Sequence, residues 1–307
     1  MNEQTVGLIG LGLVGSALVE RFVGAGYDVV GYDIDTDKAE AAKRLGCAIA
    51  SSPAGVAERT CHIVLSLPTS REVSIVVEGD DGVLSTVRKH AYIIDTTTAD
   101  PVHSAALAKR LHERGIRFLD ATILGSSDVV RHGEAVVMVG GTGKDIEACH
   151  PLLSTFAKDI FAMGPNSAGA TAKLVVNLVL GLNRLVLAEG LVLGEKSGLD
   201  TNALLSVLRA GGAYSRVMDT KGEKMLAREY DAEARLAQHL KDVGLILDLG
   251  ARTGTPLLMS AIHQQLLLTA VSNGLGDADN SAIIEVLRSM AGDNRVNAND
   301  DLQHKSS

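Results

Sequence analysis

The sequence predicts an α/β fold, with a doubly wound and mainly parallel sheet, followed by an all-α C-terminal domain. In the first half, short apolar runs alternate with amphipathic helical patterns, as they do in a parallel sheet that has helices on both faces. After Gly164 the strand-like runs stop and long helical patterns take over. We therefore predict two domains, 1–163 and 164–292, and a disordered polar tail over 293–307.

Seven apolar runs predict the strands of the sheet, in the order TVGLIG, YDVVGYD, HIVLSLP, AYIIDTT, IRFLDAT, AVVMVGG and DIFAMG. Amphipathic stretches between them, such as DPVHSAALAKRLHERG, predict the helices that cover the sheet. In the second domain the periodicity predicts five helices, at 168–196, 202–210, 235–253, 257–273 and 281–290.

The first of these five helices is apolar nearly all round, which means that it is covered on every side. Either its own domain or another subunit covers it, and we expect a homodimer or a homotetramer. The helix is long enough to cross a bilayer, but it contains Asn177, Asn183, Arg184 and Glu189. A charge near the centre of a spanning helix costs about 2.5 to 3.5 kcal/mol. We therefore expect a buried helix of a soluble protein.

Charge and composition narrow the classes of partner. The chain of 307 residues has a net charge of −8, and its Lys and Arg residues are scattered rather than clustered. This distribution argues against nucleic acid and anionic membranes as partners, and favours small polar substrates. The three cysteines stand far apart without metal-ligand spacing, and the N-terminus has no export signal. We expect a cytoplasmic protein with no metal site.

A glycine-rich turn lies between the first strand and the first helix, in the stretch GLIGLGLVGSAL. Its GxGxxG spacing is that of a Rossmann-type dinucleotide-binding unit, in which the glycines permit a tight turn, close approach of the pyrophosphate and close helix packing. The N–H groups and the dipole of the helix N-terminus then face the phosphates. The residues expected to bind the cofactor here are Gly10, Leu11, Gly12, Leu13, Val14 and Gly15.

Asp33 follows the second strand, eighteen positions beyond Gly15, where a carboxylate accepts hydrogen bonds from the adenosine ribose hydroxyls. Its charge would repel a 2′-phosphate, and neither Ile34 nor Asp35 offers an Arg to bind one. Lys38 could still contribute to such binding. The sequence therefore favours NAD as the cofactor over NADP.

A hydride-transfer enzyme without a metal needs a side chain that exchanges the proton on the substrate oxygen. Lys173 and Asn177 stand at i and i+4 near the start of the long helix, on one face. Among Leu, Val and Ala residues, this polar pair needs a polar cavity or each other. The alternative is that Lys173 extends to solvent from the first helical turns.

Several motifs, in this order along the chain, resemble those of a known enzyme family. The motifs are GLIGLGLVGSAL, LSLPTS, DTTTADP, FLDA, MVGG, GATAKLVVN, HLKDVGLILD and GLGDADNSAII. From about Val6 to Ala291 the chain resembles the β-hydroxyacid dehydrogenases, the group that includes 3-hydroxyisobutyrate dehydrogenase and tartronate semialdehyde reductase. The resemblance implies hydride transfer between a nicotinamide cofactor and a small 3-hydroxy acid or its semialdehyde.

The resemblance also implies roles for individual residues. Lys173 matches the catalytic lysine, a general acid in reduction and a general base in oxidation, and Asn177 matches the asparagine that helps to hold the substrate. The residues that match cofactor contacts are Leu67 and Pro68 in a lining loop, Thr98 near the nicotinamide half, and Lys241, which closes over the cofactor. Without the resemblance these would be an ordinary strand exit, a helix cap and a solvated helix face, respectively.

The chain departs from the family pattern in two places. Where the family has two asparagines after the lysine, Val176 replaces the first. Where the family reads DAPVSGG, Leu124 replaces the serine and Ser126 replaces the second glycine, which are residues that meet the substrate carboxylate. We expect the substrate to differ from the family's usual one at this loop.

The loop can still hold an anion, because the backbone N–H groups around Gly125, Ser126 and Ser127 can form a concavity to which two hydroxyls add donors. The alternative is a plain polar turn. Arg131 and His132 lie nearby in sequence, and we expect them to be solvated loop charges.

Together these features predict an NAD-dependent oxidoreductase acting on a small anionic hydroxyacid or aldehyde, with Lys173 as general acid/base. Two alternatives remain open, an imine reductase-like enzyme and a non-catalytic dinucleotide-binding protein. The lysine argues against both, because imine reductases carry another residue at that position and non-catalytic relatives tend to lose it.

Overall fold

The computed structural model describes residues 4–293. The disordered tail predicted over 293–307 therefore lies, except for its first residue, outside the described residues. The chain divides into two compact units, Met1–Lys173 and Leu174–Ser307. The predicted change from a mixed to an all-helical chain occurs after Gly164, where the last strand ends. The two compact units divide nine residues later, inside the long helix.

The first unit contains one eight-stranded sheet with helices between its strands, which confirms the predicted fold class. The strands are β1 Thr5–Ile9, β2 Asp28–Tyr32, β3 Ala48–Ile49, β4 His62–Leu65, β5 Tyr92–Asp95, β6 Arg117–Leu124, β7 Ala135–Gly140 and β8 Ala157–Gly164. The helices are α1 Leu13–Gly24, α2 Thr36–Arg44, α3 Pro53–Ala57, α4 Ser70–Glu78, α5 Pro101–Glu113, α6 Ser127–Arg131 and α7 Gly143–Leu153.

The strand order is β3-β2-β1-β4-β5-β6-β7-β8, and every neighbouring pair is parallel except β6 and β7. All seven predicted strands are present. The two-residue strand β3 was not predicted, because an edge strand this short has too few residues to show a period. The order reverses direction at β1, as in other doubly wound sheets whose ligands bind at the switch point.

The register brings the carboxyl ends of the central strands to one edge of the sheet. The aligned pairs at that edge are Ile9 with Tyr32, Ile9 with Leu65, Leu65 with Asp95, and Asp95 with Asp120. The chain segments that follow β1, β2, β4 and β5 therefore emerge side by side. These segments contain the predicted glycine turn, Asp33, Leu67 and Thr98.

The first turn of the long helix, α8 (Ala168–Lys196), is bonded to β6. The buried Asp120 carboxylate accepts hydrogen bonds from the N–H groups of Ser167 (2.8 Å) and Ala170 (2.9 Å). Thr122 donates its hydroxyl to the carbonyl of Gly169 at 3.0 Å. Burial raises the pKa of Asp120, and the N–H donors oppose that rise. These bonds fix where Lys173, one turn further along α8, can reach.

The second unit is all-helical, as predicted, and five of its helices match the predicted ones to within a few residues. They are α8, which begins in the first unit, and α9 Thr201–Ala210, α11 Leu236–Thr253, α12 Leu258–Ala270 and α13 Ile283–Met290. The sixth helix, α10 Arg216–Ala227, was missed, because its apolar residues are few and Gly222 interrupts them. That glycine packs against Leu205, whose Cδ1 would lie 2.8 Å from an added Cβ.

Helix α8 is long and apolar enough to cross a membrane by length and composition, and 44% of its most apolar window is buried. Its residues Leu185, Leu187, Ala188, Leu191 and Val192 pack in the hydrophobic core of the helical unit, and the polar residues Asn177 and Arg184 are also buried. Desolvated polar groups of this kind are costly in lipid, so we retain the prediction of a buried core helix.

Candidate active site

The glycine turn forms an open cradle at the N-terminus of α1. Gly10 has a φ of +94°, and an added Cβ there would lie 2.2 Å from the carbonyl oxygen of Ser66. A Cβ on Gly15 would lie 2.0 Å from the carbonyl oxygen of Gly10, so α1 packs directly against the turn. A Cβ on Gly12, in contrast, would meet nothing within 4 Å. The turn is thus closed toward the protein and open outward, which fits a dinucleotide pyrophosphate.

Asp33 lies beside this cradle and is held by it. Its Oδ2 accepts a hydrogen bond from the N–H of Leu11 at 2.7 Å, and its Oδ1 accepts one from the N–H of Asp35 at 2.9 Å. A carboxylate keeps further lone pairs for ribose hydroxyls when each oxygen has accepted one bond. The backbone bonds therefore fix the carboxylate at the place where the ribose of a dinucleotide would lie.

Lys38, the nearby cation that could favour a 2′-phosphate, is engaged by a carboxylate. Its ammonium lies 3.0 Å from Oδ2 of Asp35, which also caps α2. The hydrogen bond from Lys38 lowers the pKa of Asp35. The positive charge of Lys38 is consequently offset next to the ribose position.

The segments after β4 and β5 are bonded to each other. The N–H of Leu67 donates to Oγ1 of Thr97 at 3.2 Å, and the hydroxyl of Thr96 donates to the carbonyl of Leu65 at 2.7 Å. Thr98 follows directly. The N-cap of α5 is Asp100 rather than Thr98, so the alternative reading of Thr98 as that cap is wrong.

Lys173 points at the end of β6. Its Nζ donates a hydrogen bond to the carbonyl oxygen of Ile123 at 2.6 Å. Ile123 precedes by two residues the Gly125–Ser127 loop, in which Gly125 has a φ of +149°. Ser126 caps α6 and accepts a hydrogen bond from the N–H of Val129 at 3.4 Å, which leaves its own O–H as a donor. The structure thus brings the predicted lysine and the predicted substrate loop together in one unit.

Arg131 lies within α6 and is half-buried, so the expectation of a solvated loop charge is wrong for it, whereas His132, just after α6, is exposed as expected. Nε of Arg131 lies 2.9 Å from Oε1 of Glu20 on α1, and Nδ1 of His132 lies 2.9 Å from the carbonyl of Asp128. Among the described residues, neither side chain is bonded to Gly125, Ser126 or Ser127.

In the helical unit, one carboxylate connects two residues that were predicted separately. Nδ2 of the buried Asn177 donates to Oδ2 of Asp242 at 2.9 Å, and Nζ of Lys241 lies 3.0 Å from Oδ1 of the same residue. Asp242 was not predicted as a site residue, although an acid on the buried side of an amphipathic helix was a signal for it. Asp242 thereby sets the positions of Asn177 and Lys241 relative to each other.

Comparison with known families covers nearly the whole chain. Residues 5–164 match the family described as the NAD binding domain of 6-phosphogluconate dehydrogenase, and residues 167–287 match the one described as NAD-binding of NADP-dependent 3-hydroxyisobutyrate dehydrogenase. The chain belongs to the β-hydroxyacid dehydrogenase family. As a β-hydroxyacid dehydrogenase family member it is an NAD(P)-dependent oxidoreductase, and the resemblance inferred from its motifs is confirmed.

Relatives of this β-hydroxyacid dehydrogenase family member align along most of their length. The mitochondrial 3-hydroxyisobutyrate dehydrogenase of Rattus norvegicus is 31% identical over 94% of this chain and 88% of its own. The 2-(hydroxymethyl)glutarate dehydrogenase of Eubacterium barkeri is 32% identical over 94% of this chain and 96% of its own. Among solved structures, Mycobacterium tuberculosis 3-hydroxyisobutyrate dehydrogenase with L-serine has a TM-score of 0.83 at 26% identity, over 92% of this chain and 99% of its own.

Proposed function

We propose that the protein is an NAD-dependent dehydrogenase that interconverts a small 3-hydroxy acid and its semialdehyde, with Lys173 as general acid/base. The observation that carries this proposal is the position of the Lys173 ammonium, 2.6 Å from the Ile123 carbonyl and next to the Gly125–Ser127 loop. A proton donor beside an anion-binding loop is the arrangement that a hydroxy acid requires.

The names of two relatives support the substrate class. The substrates named for the Rattus norvegicus and Eubacterium barkeri enzymes, 3-hydroxyisobutyrate and 2-(hydroxymethyl)glutarate, both carry a hydroxymethyl group on the carbon next to a carboxylate. Their oxidation gives an aldehyde that retains this carboxylate. We propose that the N–H groups and hydroxyls of Gly125, Ser126 and Ser127 bind such a carboxylate in this chain.

The residues of this chain divide the work between binding and proton transfer. In oxidation, the neutral amine of Lys173 takes the proton from the substrate hydroxyl and becomes an ammonium, and in reduction the ammonium gives this proton to the carbonyl oxygen. The Ile123 carbonyl restrains the lysine by accepting one of its three N–H bonds. Asn177, which Asp242 holds, helps to bind the substrate.

A bound nicotinamide would accept the hydride in oxidation and supply it in reduction. The N-terminal N–H groups of α1 and the turn around Gly12 would hold the pyrophosphate, and Asp33 would hold the adenosine ribose. We propose further cofactor contacts from Leu67, Pro68 and Thr98 in the first unit and from Lys241 in the second.

The test is NAD reduction by the purified protein with a panel of hydroxy acids. The panel comprises 3-hydroxyisobutyrate, 2-(hydroxymethyl)glutarate, glycerate, threonate, 4-hydroxybutyrate and sulfonate or phosphonate analogues, with lactate, whose hydroxyl is on the carbon next to the carboxylate, as the control. We expect at least one 3-hydroxy acid to exceed lactate in kcat/KM by about tenfold or more, the value of one well-placed interaction of 1.4 kcal/mol.

Two outcomes of this panel, run beside a set of cyclic imines with NADH, would contradict the proposal. Binding of NADH without oxidation of any acid would indicate the non-catalytic alternative. Reduction of cyclic imines without oxidation of any hydroxy acid would indicate the imine reductase alternative. The presence of Lys173 favours the dehydrogenase, because imine reductases carry another residue at that position and non-catalytic relatives tend to lose the lysine.

A further inference from the structure

One apolar side chain lies at the end of β6 without belonging to a hydrophobic core. Leu124, the last residue of the strand, is half-buried. Among the described residues, the hydrophobic cores take up the half-buried Leu67 and Val129, but none of them takes up Leu124. Apolar side chains with a few polar groups beside them are the usual lining of a small-molecule site. Leu124 is therefore available to contact a ligand.

The face of β6 that carries Leu124 is the face on which α8 begins. Successive side chains of a strand point to opposite faces, so Asp120, Thr122 and Leu124 share one face. The Asp120 carboxylate accepts the N–H of Ala170 at 2.9 Å, and the Thr122 hydroxyl donates to the carbonyl of Gly169 at 3.0 Å. The first turn of α8 thus lies on the two residues of this face that precede Leu124.

Lys173 occupies the next turn of α8 above this face. It follows Gly169 by four residues, which places the two residues one above the other on one side of the helix. Leu124 follows Thr122 by two residues, in the same direction along β6. Nζ of Lys173 donates to the carbonyl of Ile123, the residue before Leu124, at 2.6 Å. The Leu124 side chain consequently borders the proposed proton carrier.

On one side of Leu124 the sheet has already ended, and on the other side a second apolar residue accompanies it. The last pair between β5 and β6 is Asp95 with Asp120, four residues before Leu124, so β6 projects about 13 Å past that pair. On β7 the partner of Leu124 is the half-buried Val136. Residues directly opposite in an antiparallel pair place their side chains together on one face. Leu124 and Val136 form an apolar wall next to Lys173.

The order of residues along the chain sets the part of the substrate that this wall meets. In the proposed reaction, Lys173 at the Ile123 carbonyl meets the oxygen on C3, and the Gly125–Ser127 loop binds the carboxylate of C1. Leu124 lies between these two groups in the chain, as C2 lies between C3 and C1 in the substrate. The wall therefore faces the substituent on C2.

We propose that, given the dehydrogenase activity proposed above, Leu124 selects 3-hydroxy acids that carry an alkyl group on C2 over those that carry a hydroxyl group there. An alkyl group against Leu124 removes apolar surface from water, which is favourable. A hydroxyl group in the same place gives up hydrogen bonds with water and gains none from the wall. The serine that the family has at this position would offer a hydroxyl partner instead.

The test compares NAD reduction with 3-hydroxyisobutyrate and with glycerate, which differ only in a methyl or a hydroxyl group on C2. We expect the native chain to favour 3-hydroxyisobutyrate in kcat/KM by about tenfold to 100-fold, the discrimination that an apolar pocket gives between groups of this size. Leu124→Ser should lower this ratio by about tenfold or more, and Leu124→Asn, which keeps the size but not the apolar surface, should lower it as well. The Kd for NADH should stay within about twofold in both variants, since the glycine turn is untouched.

Two further variants serve as controls. Leu124→Met keeps the apolar surface and the volume, so the ratio should stay within about threefold of the native value. Leu45→Ser makes the same exchange as Leu124→Ser at an exposed leucine that ends α2, and should leave the ratio unchanged.

Three results would overturn the role of Leu124 and leave the proposed function standing. They are a native preference for glycerate, the same ratio in the native chain and in Leu124→Ser, and oxidation of other 3-hydroxy acids of the panel but of neither member of this pair. Binding of NADH without oxidation of any hydroxy acid would instead overturn the proposed function, and the role of Leu124 with it.

Discussion

Asp33 and Asp35 set the charge around the position of the adenosine ribose. Asp33 is fixed there by the N–H groups of Leu11 and Asp35, and Asp35 offsets the charge of Lys38. A 2′-phosphate about 4 Å from the Asp33 carboxylate would be repelled by roughly 1 to 4 kcal/mol, depending on exposure. The residues therefore favour NAD, which we retain as a proposal.

We predict that kcat/KM is higher with NAD than with NADP, and that Asp33→Asn narrows the ratio by about tenfold or more, since it removes 1.4 kcal/mol or more of repulsion. Parallel kinetics with both cofactors measure this ratio. Asp28→Asn, which removes an exposed carboxylate at the opposite end of β2, is the matched control and should leave the ratio unchanged. A native preference for NADP would contradict the assignment.

Residue types with a special backbone or chemical role were the ones that the sequence could predict. Gly10, Gly15 and Lys173 are of that kind, and the structure places them at the cradle and at the end of β6. The partner of Lys173 could not be predicted, because a backbone carbonyl such as that of Ile123 has no residue signature. Asp242 was missed because its effect depends on the pairing of α8 with α11.

At the scale of elements, α6 is the helix that presents the proposed substrate loop, and it is too short to be stable alone. It packs on α1, and the Arg131–Glu20 ion pair connects the two helices at 2.9 Å. Arg21, also on α1, donates to the carbonyl of Thr155 at 2.7 Å and to that of Arg131 at 3.4 Å. The helix that would hold the cofactor pyrophosphate thus supports the loop that would bind the substrate.

We predict that Arg131→Gln raises the KM for the hydroxy acid by about two- to fivefold, because a partly exposed ion pair contributes roughly 0.2 to 1 kcal/mol. The affinity for NADH should change less than twofold, since the glycine turn is untouched. Substrate kinetics and NADH fluorescence titration measure the two effects. His132→Gln, next in the chain and more exposed, is the control and should leave both unchanged. An unchanged KM in Arg131→Gln would contradict the proposal that Arg131 supports the Gly125–Ser127 loop.

Elements with a strong apolar periodicity could be predicted from the sequence, and elements with a weak one could not. The apolar strands and the long helices α8 and α11 were predictable, since burial on two faces or on one stripe leaves a clear pattern. Strand β3 and helix α10 were not, because one has two residues and the other has charged residues and Gly222 within it.

At the scale of the whole molecule, the apolar side chains that α8 leaves exposed bear on assembly. Val175, Val179, Val186 and Leu193 are exposed, and three of them repeat every seven residues. A seven-residue apolar repeat is typical of a helix that packs along a second helix. We propose, as the sequence suggested, that a second copy of the chain covers this stripe in a homodimer or a homotetramer.

Light scattering at micromolar concentration should give at least twice the chain mass of 32.1 kDa. Val186→Glu should shift the protein toward the monomer, because it places a charge in the middle of the stripe. Ile75→Glu, an exposed apolar residue on α4, should leave the mass unchanged. A monomeric native protein would contradict the dimer.

The central claim is that Lys173 exchanges the substrate proton, and the kcat of Lys173→Ala tests it most directly. We expect kcat to fall by about 10² to 10⁴, the usual contribution of general acid–base catalysis, while the Kd for NADH stays within about threefold. Lys196→Ala, at the opposite end of α8, is the control and should keep full activity. A kcat for Lys173→Ala within threefold of the native value would contradict the account.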